Sequence, residues 1–311
     1  MRSLKLELDC ERQDALLRRY GRAAAKVVSE LPMAYGLWGR ERKGSAFSKV
    51  IQTGYFRDTF AYVRFGIGTE KIVIFPPLND ALFTTHEIAG CLYALFYPLA
   101  KNYEIYAVSR KRSLPVGCTT SEMAADYAGV FEDIGPAHVL GVSLGGMVAQ
   151  VFAKDYPQYV KKLIILSSAH HMGPEGLDFA RRWIPWAREG AWKKIYYDTL
   201  HLSYHTVFRW SSHVLAPYIL GLCHKAQDAS AFIIAGQAGM IHDASDFLAA
   251  IQPHALIIGG TRDPLFPESL FHEMQQRMPQ ARLLMIPGAK HGVFEENRRH
   301  CIDVIKDFLA A

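Results

Sequence analysis

The sequence predicts an α/β protein in which helices cover both faces of a mostly parallel, doubly wound sheet, with a helical cap inserted late in the chain. Two observations lead to this prediction. Short apolar segments of strand length alternate with longer helical segments, which is the pattern of parallel strands joined by crossover helices. The alternation stops near Ser168 and resumes near Ala255, which indicates that the intervening segment forms a separate layer of helices.

The composition is that of a globular protein that can bury a core without disulfides or metals. The chain has 311 residues, of which 50% are apolar, 12% aromatic and 21% charged. Its net charge of +5 is spread over short basic clusters such as residues 110–112. We expect these clusters to be solvated faces, so nucleic acid is not an expected partner.

Cysteine usage and apolar run lengths bear on location. The five cysteines include no CxxC pair, and the first fourteen residues lack an apolar stretch. Both features favour a reducing, cytoplasmic location. No uncharged run reaches the about 20 residues that a membrane-spanning helix needs, so no membrane span is expected.

Residues 1–45 precede the alternating region and predict an N-terminal helical extension. Residues 11–30 carry apolar side chains at helical spacing, and residues 32–45 contain one proline and three glycines, which are typical of a loop. This extension would pack on the main domain, cover the cap or mediate contacts in a homodimer. The residues do not choose among these.

The first part of the core is assigned to residues 46–169. It begins with two strands at 60–65 and 71–75, joined by a Gly66-Ile67-Gly68 turn. The second strand is a continuous apolar run, as expected for a strand covered on both faces. Further elements follow in alternation: a helix at 86–100, a strand at 103–109, a helix at 120–134 capped by Thr120 or Ser121, a strand at 138–142, a helix at 144–156 and a strand at 162–166.

The cap is assigned to residues 170–235, where four of the five tryptophans occur and several short helices are predicted. The second part of the core, residues 236–311, resumes the alternation. It contains a strand at 255–259, a helix at 268–278, a strand at 282–286 and a final helix at 295–309.

The sharpest local signal is Gly141-Val142-Ser143-Leu144-Gly145, a G-x-S-x-G pattern between an apolar strand and a helix rich in small residues. On so tight a turn the serine takes up strained backbone geometry, and the glycines let strand and helix approach each other. The hydroxyl of Ser143 is therefore expected to stand clear of the sheet edge. The alternative is a tight turn with an incidental serine.

A serine nucleophile needs a histidine to accept its proton and a carboxylate to orient that histidine. Asp263 and His291 each follow a later predicted strand, so they would reach the same edge of the sheet as Ser143. Asp243 and Asp246 are rival carboxylates. They precede a strand, and we expect them to cap a helix.

With these three residues in this order, residues 46–311 resemble the α/β-hydrolase fold superfamily. The resemblance implies that Ser143 is the nucleophile, Asp263 the orienting acid and His291 the base. It also implies an oxyanion hole formed by the backbone N–H groups of Leu144 and Leu78.

The sequence departs from the family pattern at two loops. Phe75-Pro76-Pro77-Leu78 replaces the His-Gly that many members carry, and neither proline has an N–H to donate. The family's Arg-Gly-x-Gly turn is also absent, with Arg110-Lys111-Arg112-Ser113 in its place.

The aromatic side chains of the cap would either line an apolar substrate pocket or form the cap's own core. Those singled out as pocket residues are Trp183, Trp186, Tyr197, Phe208 and Trp210. His170 and His171 are expected at the loop surface. There is no H-x-H, H-E-x-x-H, G-x-G-x-x-G or P-loop pattern, so neither a metal nor a nucleotide cofactor is expected.

Three functions are consistent with these residues. The first is a serine hydrolase that cleaves a small to medium carboxylic ester, thioester or lactone with an apolar part. The second is an acyltransferase on the same fold, which differs only in whether water or another acceptor reaches the acyl-enzyme. The third is a ligand-binding protein that keeps the fold without turnover. Carbon–carbon bond hydrolysis or a lyase reaction ranks below these.

Overall fold

An eight-stranded sheet forms the centre of the computed structural model, which describes residues 50–205 and 229–311. The strand order is β1-β2-β4-β3-β5-β6-β7-β8. Strand β2 pairs antiparallel with both of its neighbours, β1 and β4, and all the other neighbouring strands are parallel. The strands are β1 Ile51–Phe56, β2 Phe60–Phe65, β3 Glu70–Phe75, β4 Tyr103–Val108, β5 Ala137–Val142, β6 Val160–Leu166, β7 Ala255–Gly260 and β8 Ala281–Ile286.

The central strands are apolar along their length because helices cover both of their faces. Successive side chains of β3 alternate between two apolar cores: Val73 belongs to one and Ile72 and Ile74 to the other. This period of two is the geometry of a strand. Strand β3 lies between β4 and β5, with Val73 paired to Val139 in register, so its carboxyl end lies beside that of β5.

Nine α-helices are found in the described parts of the chain. They are α1 Ala89–Phe96, α2 Thr120–Ile134, α3 Leu144–Asp155, α4 Pro174–Arg188, α5 Trp192–Ser203, α6 Ser230–Ile241, α7 Glu268–Arg277, α8 Val293–Glu296 and α9 Arg298–Ala310. Helices α2, α3 and α7 contribute to the core on one face of the sheet, and α1 and α9 to the core on the other.

Helices α4, α5 and α6 lie between β6 and β7 in sequence and form the inserted helical cap. The structure therefore confirms the predicted fold class, a mostly parallel sheet with helices on both faces and a helical insertion. Helix α6 runs through residue 235, where the sequence placed the end of the cap. The predicted N-terminal helix and part of the predicted cap lie outside the described residues. Among the described helices, none combines the length and the apolar character that a bilayer span requires.

Two local predictions were wrong, and one strand was missed. Strand β1 was not predicted, and it extends the sheet beyond β2. The helix predicted at 86–100 is confined to Ala89–Phe96, and it is followed by Pro98, which has no N–H to donate to a further helical hydrogen bond. The N-cap of α2 is Thr119, whose side chain and Glu122 form a reciprocal capping box.

Candidate active site

Ser143 lies at the sharp turn between β5 and α3. Its backbone has φ 51° and ψ −118°, a left-handed conformation that costs a residue with a Cβ atom about 1–3 kcal/mol. Two hydrogen bonds hold this geometry: the Ser143 N–H donates to Leu166 O at 2.9 Å, and the Gly146 N–H donates to Ser143 O at 2.8 Å. The turn is thus fixed to the neighbouring strand β6.

The glycines of the turn are required by close backbone contacts. A Cβ atom on Gly141 would lie 2.5 Å from Gly145 O, and one on Gly145 would lie 2.1 Å from Phe75 O. Only glycine fits at such distances. The loop after β3 therefore packs directly on the first turn of α3.

His291 and Asp263 come from the loops that follow β8 and β7. The His291 Nε2 atom lies 3.0 Å from Ser143 Oγ, and its Nδ1 atom lies 2.8 Å from Asp263 Oδ2. These are hydrogen-bond distances. The structure thus brings together the three side chains that the sequence singled out, from positions up to 148 residues apart.

The Asp263 carboxylate is buried and its hydrogen bonds divide between its two oxygens. Oδ2 faces His291, while Oδ1 accepts the backbone N–H groups of Leu265 at 2.9 Å and Phe266 at 3.2 Å. Burial lowers the pKa of His291, but the charge of Asp263 and its hydrogen bond outweigh burial and leave that pKa above its ordinary value. An imidazolium at this position is therefore stabilised.

The loop that carries His291 is held from two sides. Ser167 donates its hydroxyl to His291 O at 2.7 Å, and Ser167 itself has a positive φ of 49°. The Gly292 N–H donates to Ser203 O at the end of α5, and Lys290 Nζ donates to His201 O. The cap is thus joined directly to the histidine loop. Ser167 was not among the predicted site residues, although it follows β6 at the same sheet edge.

The N–H groups of Leu144 and Leu78 are the oxyanion donors that the family resemblance implies. Leu144 is the first residue of α3, where helix N–H groups have no partner within the helix. Leu78 begins the short 3-10 turn Leu78–Ala81. Helix α6 covers both residues, because Gly239 lies against the Leu144 side chain and Gly236 against that of Leu78.

The exposure of Arg110 was predicted wrongly. It belongs to a basic cluster that was predicted to be a solvated face, yet its side chain is only 3% exposed. Its guanidinium binds backbone carbonyl groups of the loop that carries Leu78, and this interaction offsets the cost of burying the charge. Only the position of Arg110 after β4 could have indicated this contact.

The predicted pocket residues in the described part of the cap have contacts within the cap. Trp183 is buried and its Nε1–H donates to Asp198 at 2.8 Å. Trp186 is half-buried, with Lys194 over its ring, and Tyr197 has Lys193 over its ring. Phe208 and Trp210 lie outside the described residues. A role for these five side chains in substrate binding stays a prediction.

His170 was predicted at the loop surface and is instead fully buried. Its ring lies against the His171 ring, and its Nε2 atom is 3.6 Å from Glu273. Burial lowers the pKa of His170, so its ring is neutral near pH 7. Of the rival carboxylates, Asp243 accepts the Ser245 N–H just before the 3-10 turn Ser245–Ala250, whose N-cap is Ala244.

Comparison with known proteins adds the family context. A family model described as "Alpha/beta hydrolase family" matches residues 84–300. Among curated proteins, the chain is 28% identical over 170 residues to a poly(3-hydroxyalkanoate) depolymerase of Ectopseudomonas oleovorans. It is 30% identical over 174 residues to a pimeloyl-[acyl-carrier protein] methyl ester esterase of Nitrosomonas europaea.

These two matches each cover 50% of this chain, and 54% of the depolymerase and 64% of the esterase. The chain thus spans less than two thirds of the length of either curated relative. Among solved structures, an alpha/beta hydrolase from a Medee basin deep-sea metagenome library superposes with a TM-score of 0.73 at 19% identity. That superposition covers 84% of this chain and 98% of the other, which shows a shared fold.

Proposed function

The chain belongs to the alpha/beta hydrolase family, and we propose that it is a serine hydrolase acting through an acyl-enzyme on Ser143. Its proposed substrates are small to medium carboxylic esters, thioesters or lactones with an apolar part. The observation that carries this proposal is the relay of 3.0 Å from Ser143 Oγ to His291 Nε2 and 2.8 Å from His291 Nδ1 to Asp263 Oδ2.

The relay supports a two-step reaction. His291 takes the proton of Ser143 as the serine oxygen attacks the acyl carbonyl carbon, and Asp263 stabilises the imidazolium that forms. Collapse of the tetrahedral intermediate expels the alcohol or thiol, which receives the proton from His291. A water molecule then attacks the acyl-enzyme with His291 again as base, and the acid product leaves.

The developing negative charge needs two donors. The N–H groups of Leu144 and Leu78 are proposed for this role, since each begins a helical segment at the edge of the sheet that carries Ser143. Loss of one such donor costs about 2.7–4 kcal/mol of barrier. The apolar side of α6 over these residues favours a dry site, in which hydrogen bonds to an oxyanion are stronger than in water.

An ester bond is favoured as the target because one of the curated relatives is a methyl ester esterase. Leu144 directly follows Ser143, and its side chain lies near α6, as do those of Leu78 and Met172. These apolar side chains favour an acyl group with an apolar part. We propose that the cap residues Trp183, Trp186 and Tyr197 bound the space for that group.

The proposal is tested with chromogenic 4-nitrophenyl esters whose acyl chains run from acetyl to octanoyl. The wild-type protein should turn over at least one of them, and Ser143→Ala should lose at least about 10³-fold in kcat. Ser121→Ala is the matched control, because Ser121 is an exposed serine on α2. Wild-type turnover in Ser143→Ala would refute the proposal. Transfer of the acyl group to added alcohol in preference to water would identify an acyltransferase.

A further inference from the structure

Arg110 binds the loop that carries Leu78, one of the two proposed oxyanion donors. We infer that Arg110 is a positioning residue, which fixes the direction of the Leu78 N–H by holding the oxygen of the same peptide group. This inference rests on the proposed function, because it assigns Arg110 a part in stabilising the acyl-transfer transition state. Arg110 touches neither Ser143 nor His291 among the hydrogen bonds of the described residues.

The sheet register brings Arg110 to this loop. Strands β3 and β4 are parallel neighbours, with Ile74 paired to Ala107. Pro77 and Arg110 each lie three residues beyond this pair. The segments after β3 and β4 leave the same edge of the sheet side by side, so a long side chain after β4 reaches the backbone after β3.

The guanidinium binds three successive carbonyl oxygens. Nη1 donates to Pro76 O at 2.6 Å, and Nη2 donates to Pro77 O at 2.8 Å and approaches Leu78 O at 3.4 Å. Pro77 O also accepts the Asp80 N–H at 3.2 Å. Both lone pairs of this oxygen are therefore occupied by donors.

Because the peptide group is planar, a contact that holds Pro77 O also fixes the direction of the Leu78 N–H. The Pro77–Leu78 peptide is trans, so its C=O and its N–H lie in one plane and point in opposite directions. Rotation of this peptide would take Pro77 O away from Arg110 and from the Asp80 N–H. Arg110 therefore holds the Leu78 N–H directed to the side of the loop opposite the guanidinium.

The loop particularly needs such a support because two prolines remove the first two N–H groups after β3. Pro76 and Pro77 carry no N–H, so Leu78 provides the first N–H after β3. The loop already packs on the first turn of α3, where a Cβ atom at Gly145 would meet Phe75 O and Pro76 O. That contact fixes where the loop lies, while Arg110 fixes which way its peptide faces.

Asp80 holds Arg110 in place. Its Oδ2 atom accepts the Arg110 backbone N–H at 2.9 Å and lies 3.8 Å from Nη2. Burial raises the pKa of Asp80, and the charge of Arg110 opposes that shift. A planar guanidinium with five donors suits this site, whereas a lysine ammonium could not reach the same carbonyl groups together.

The test is the variant Arg110→Lys, which keeps the positive charge next to Asp80. We expect kcat for a 4-nitrophenyl ester to fall at least about tenfold. The upper limit is the loss of about 10²–10³-fold in kcat that follows removal of one oxyanion donor. The value of KM should change less than about threefold, because the interaction is made in the transition state. The pH at the midpoint of the acid limb should be unchanged, since His291 and Asp263 are untouched.

Arg112→Lys is the matched control. Arg112 Nη1 donates to Asp80 O at 2.7 Å, so it holds the same turn without touching the peptide that carries the Leu78 N–H. Its variant should keep kcat within about twofold of the wild type. Equal losses in the two variants would show a general loosening of the loop and would overturn the inference.

A second measurement does not depend on a folded variant. In a crystal structure of the wild type with a phosphonate on Ser143, the phosphonyl oxygen should accept from the Leu78 and Leu144 N–H groups. Pro77 O should remain on Arg110. A peptide turned away from Arg110, or an oxyanion that Leu78 does not contact, would overturn the inference.

The two proposals fail in different ways. If the wild type turns over esters and Arg110→Lys has the same kcat, the positioning role of Arg110 is wrong and the serine hydrolase stands. If the wild type neither turns over esters nor reacts with a phosphonate, the proposed function is wrong and the inference falls with it.

Discussion

Replacement of Asp263 by asparagine changes one atom of the relay and has an outcome that the structure makes specific. In Asp263→Asn the side chain keeps its shape but gains an NH₂ group in place of one oxygen. The wild-type Oδ1 atom accepts the N–H groups of Leu265 and Phe266, whereas Oδ2 accepts from His291 Nδ1. The two possible orientations of the asparagine amide would therefore make different hydrogen bonds.

The backbone determines how the asparagine amide is oriented. The asparagine oxygen keeps the hydrogen bonds from the two backbone N–H groups, each of which contributes about 0.5–1.5 kcal/mol. In the opposite orientation, the NH₂ group would face these two donors and neither bond could form. The NH₂ group then faces His291 Nδ1, which becomes an acceptor. The ring proton moves to Nε2, so the imidazole can no longer accept the proton of Ser143.

The expected loss is large in rate and small in stability. The same change in a serine–histidine–aspartate triad lowers kcat by about 10⁴-fold, which corresponds to about 5.5 kcal/mol of barrier. The free energy of unfolding should change much less, because the two backbone hydrogen bonds to Oδ1 are kept.

The assay is the steady-state rate with a 4-nitrophenyl ester, with the folded fraction of each variant checked by circular dichroism and thermal unfolding. Asp243→Asn is the control, since Asp243 is a carboxylate that accepts the backbone N–H of Ser245. It should keep the wild-type kcat. A folded Asp263→Asn variant with kcat within tenfold of the wild type would refute the assigned role of Asp263, as would a larger loss in Asp243→Asn.

Two pH-dependent properties follow from buried histidines. As the pH falls, kcat/KM should decrease with an apparent pKa above the ordinary histidine value of about 6.5. The reason is that Asp263 raises the pKa of His291 in spite of burial. A pH–rate profile with its acid limb centred below about pH 6 would contradict this. Burial lowers the pKa of His242 to about 4, so the unfolded chain binds more protons between pH 6.5 and 4, and stability is lost as the pH falls. Between pH 7 and 5 this histidine should account for about 2 kcal/mol of the lost unfolding free energy. Urea unfolding should show a smaller loss in His242→Gln, and equal losses in both proteins would exclude the effect.

The central sheet could be predicted from the sequence because its strands are short, continuous apolar runs between helices. The positions of Ser143, Asp263 and His291 after three such strands also predicted that they would meet at one edge. Parallel strands bring their carboxyl ends to the same edge, so position along the chain specifies position in space.

Features that depend on packing between distant segments could not be predicted in this way. Strand β1 lies at the sheet edge with most of its residues partly or fully exposed, so it lacks the apolar run that marks the central strands. His170 and Arg110 are polar side chains in predicted loops, and polarity alone predicts a solvated position. Their burial depends on neighbours that are far away in sequence, such as Glu273 for His170 and the loop after β3 for Arg110.

The most direct test of the relay is covalent labelling with a fluorophosphonate, followed by intact mass and peptide mapping. The wild type should gain one phosphonyl group, on the peptide that contains Ser143. Ser143→Ala should gain none, and His291→Gln should be labelled at least about tenfold more slowly because the serine then lacks its base. An adduct on another residue, or equal labelling rates in the wild type and His291→Gln, would contradict a relay through Ser143, His291 and Asp263.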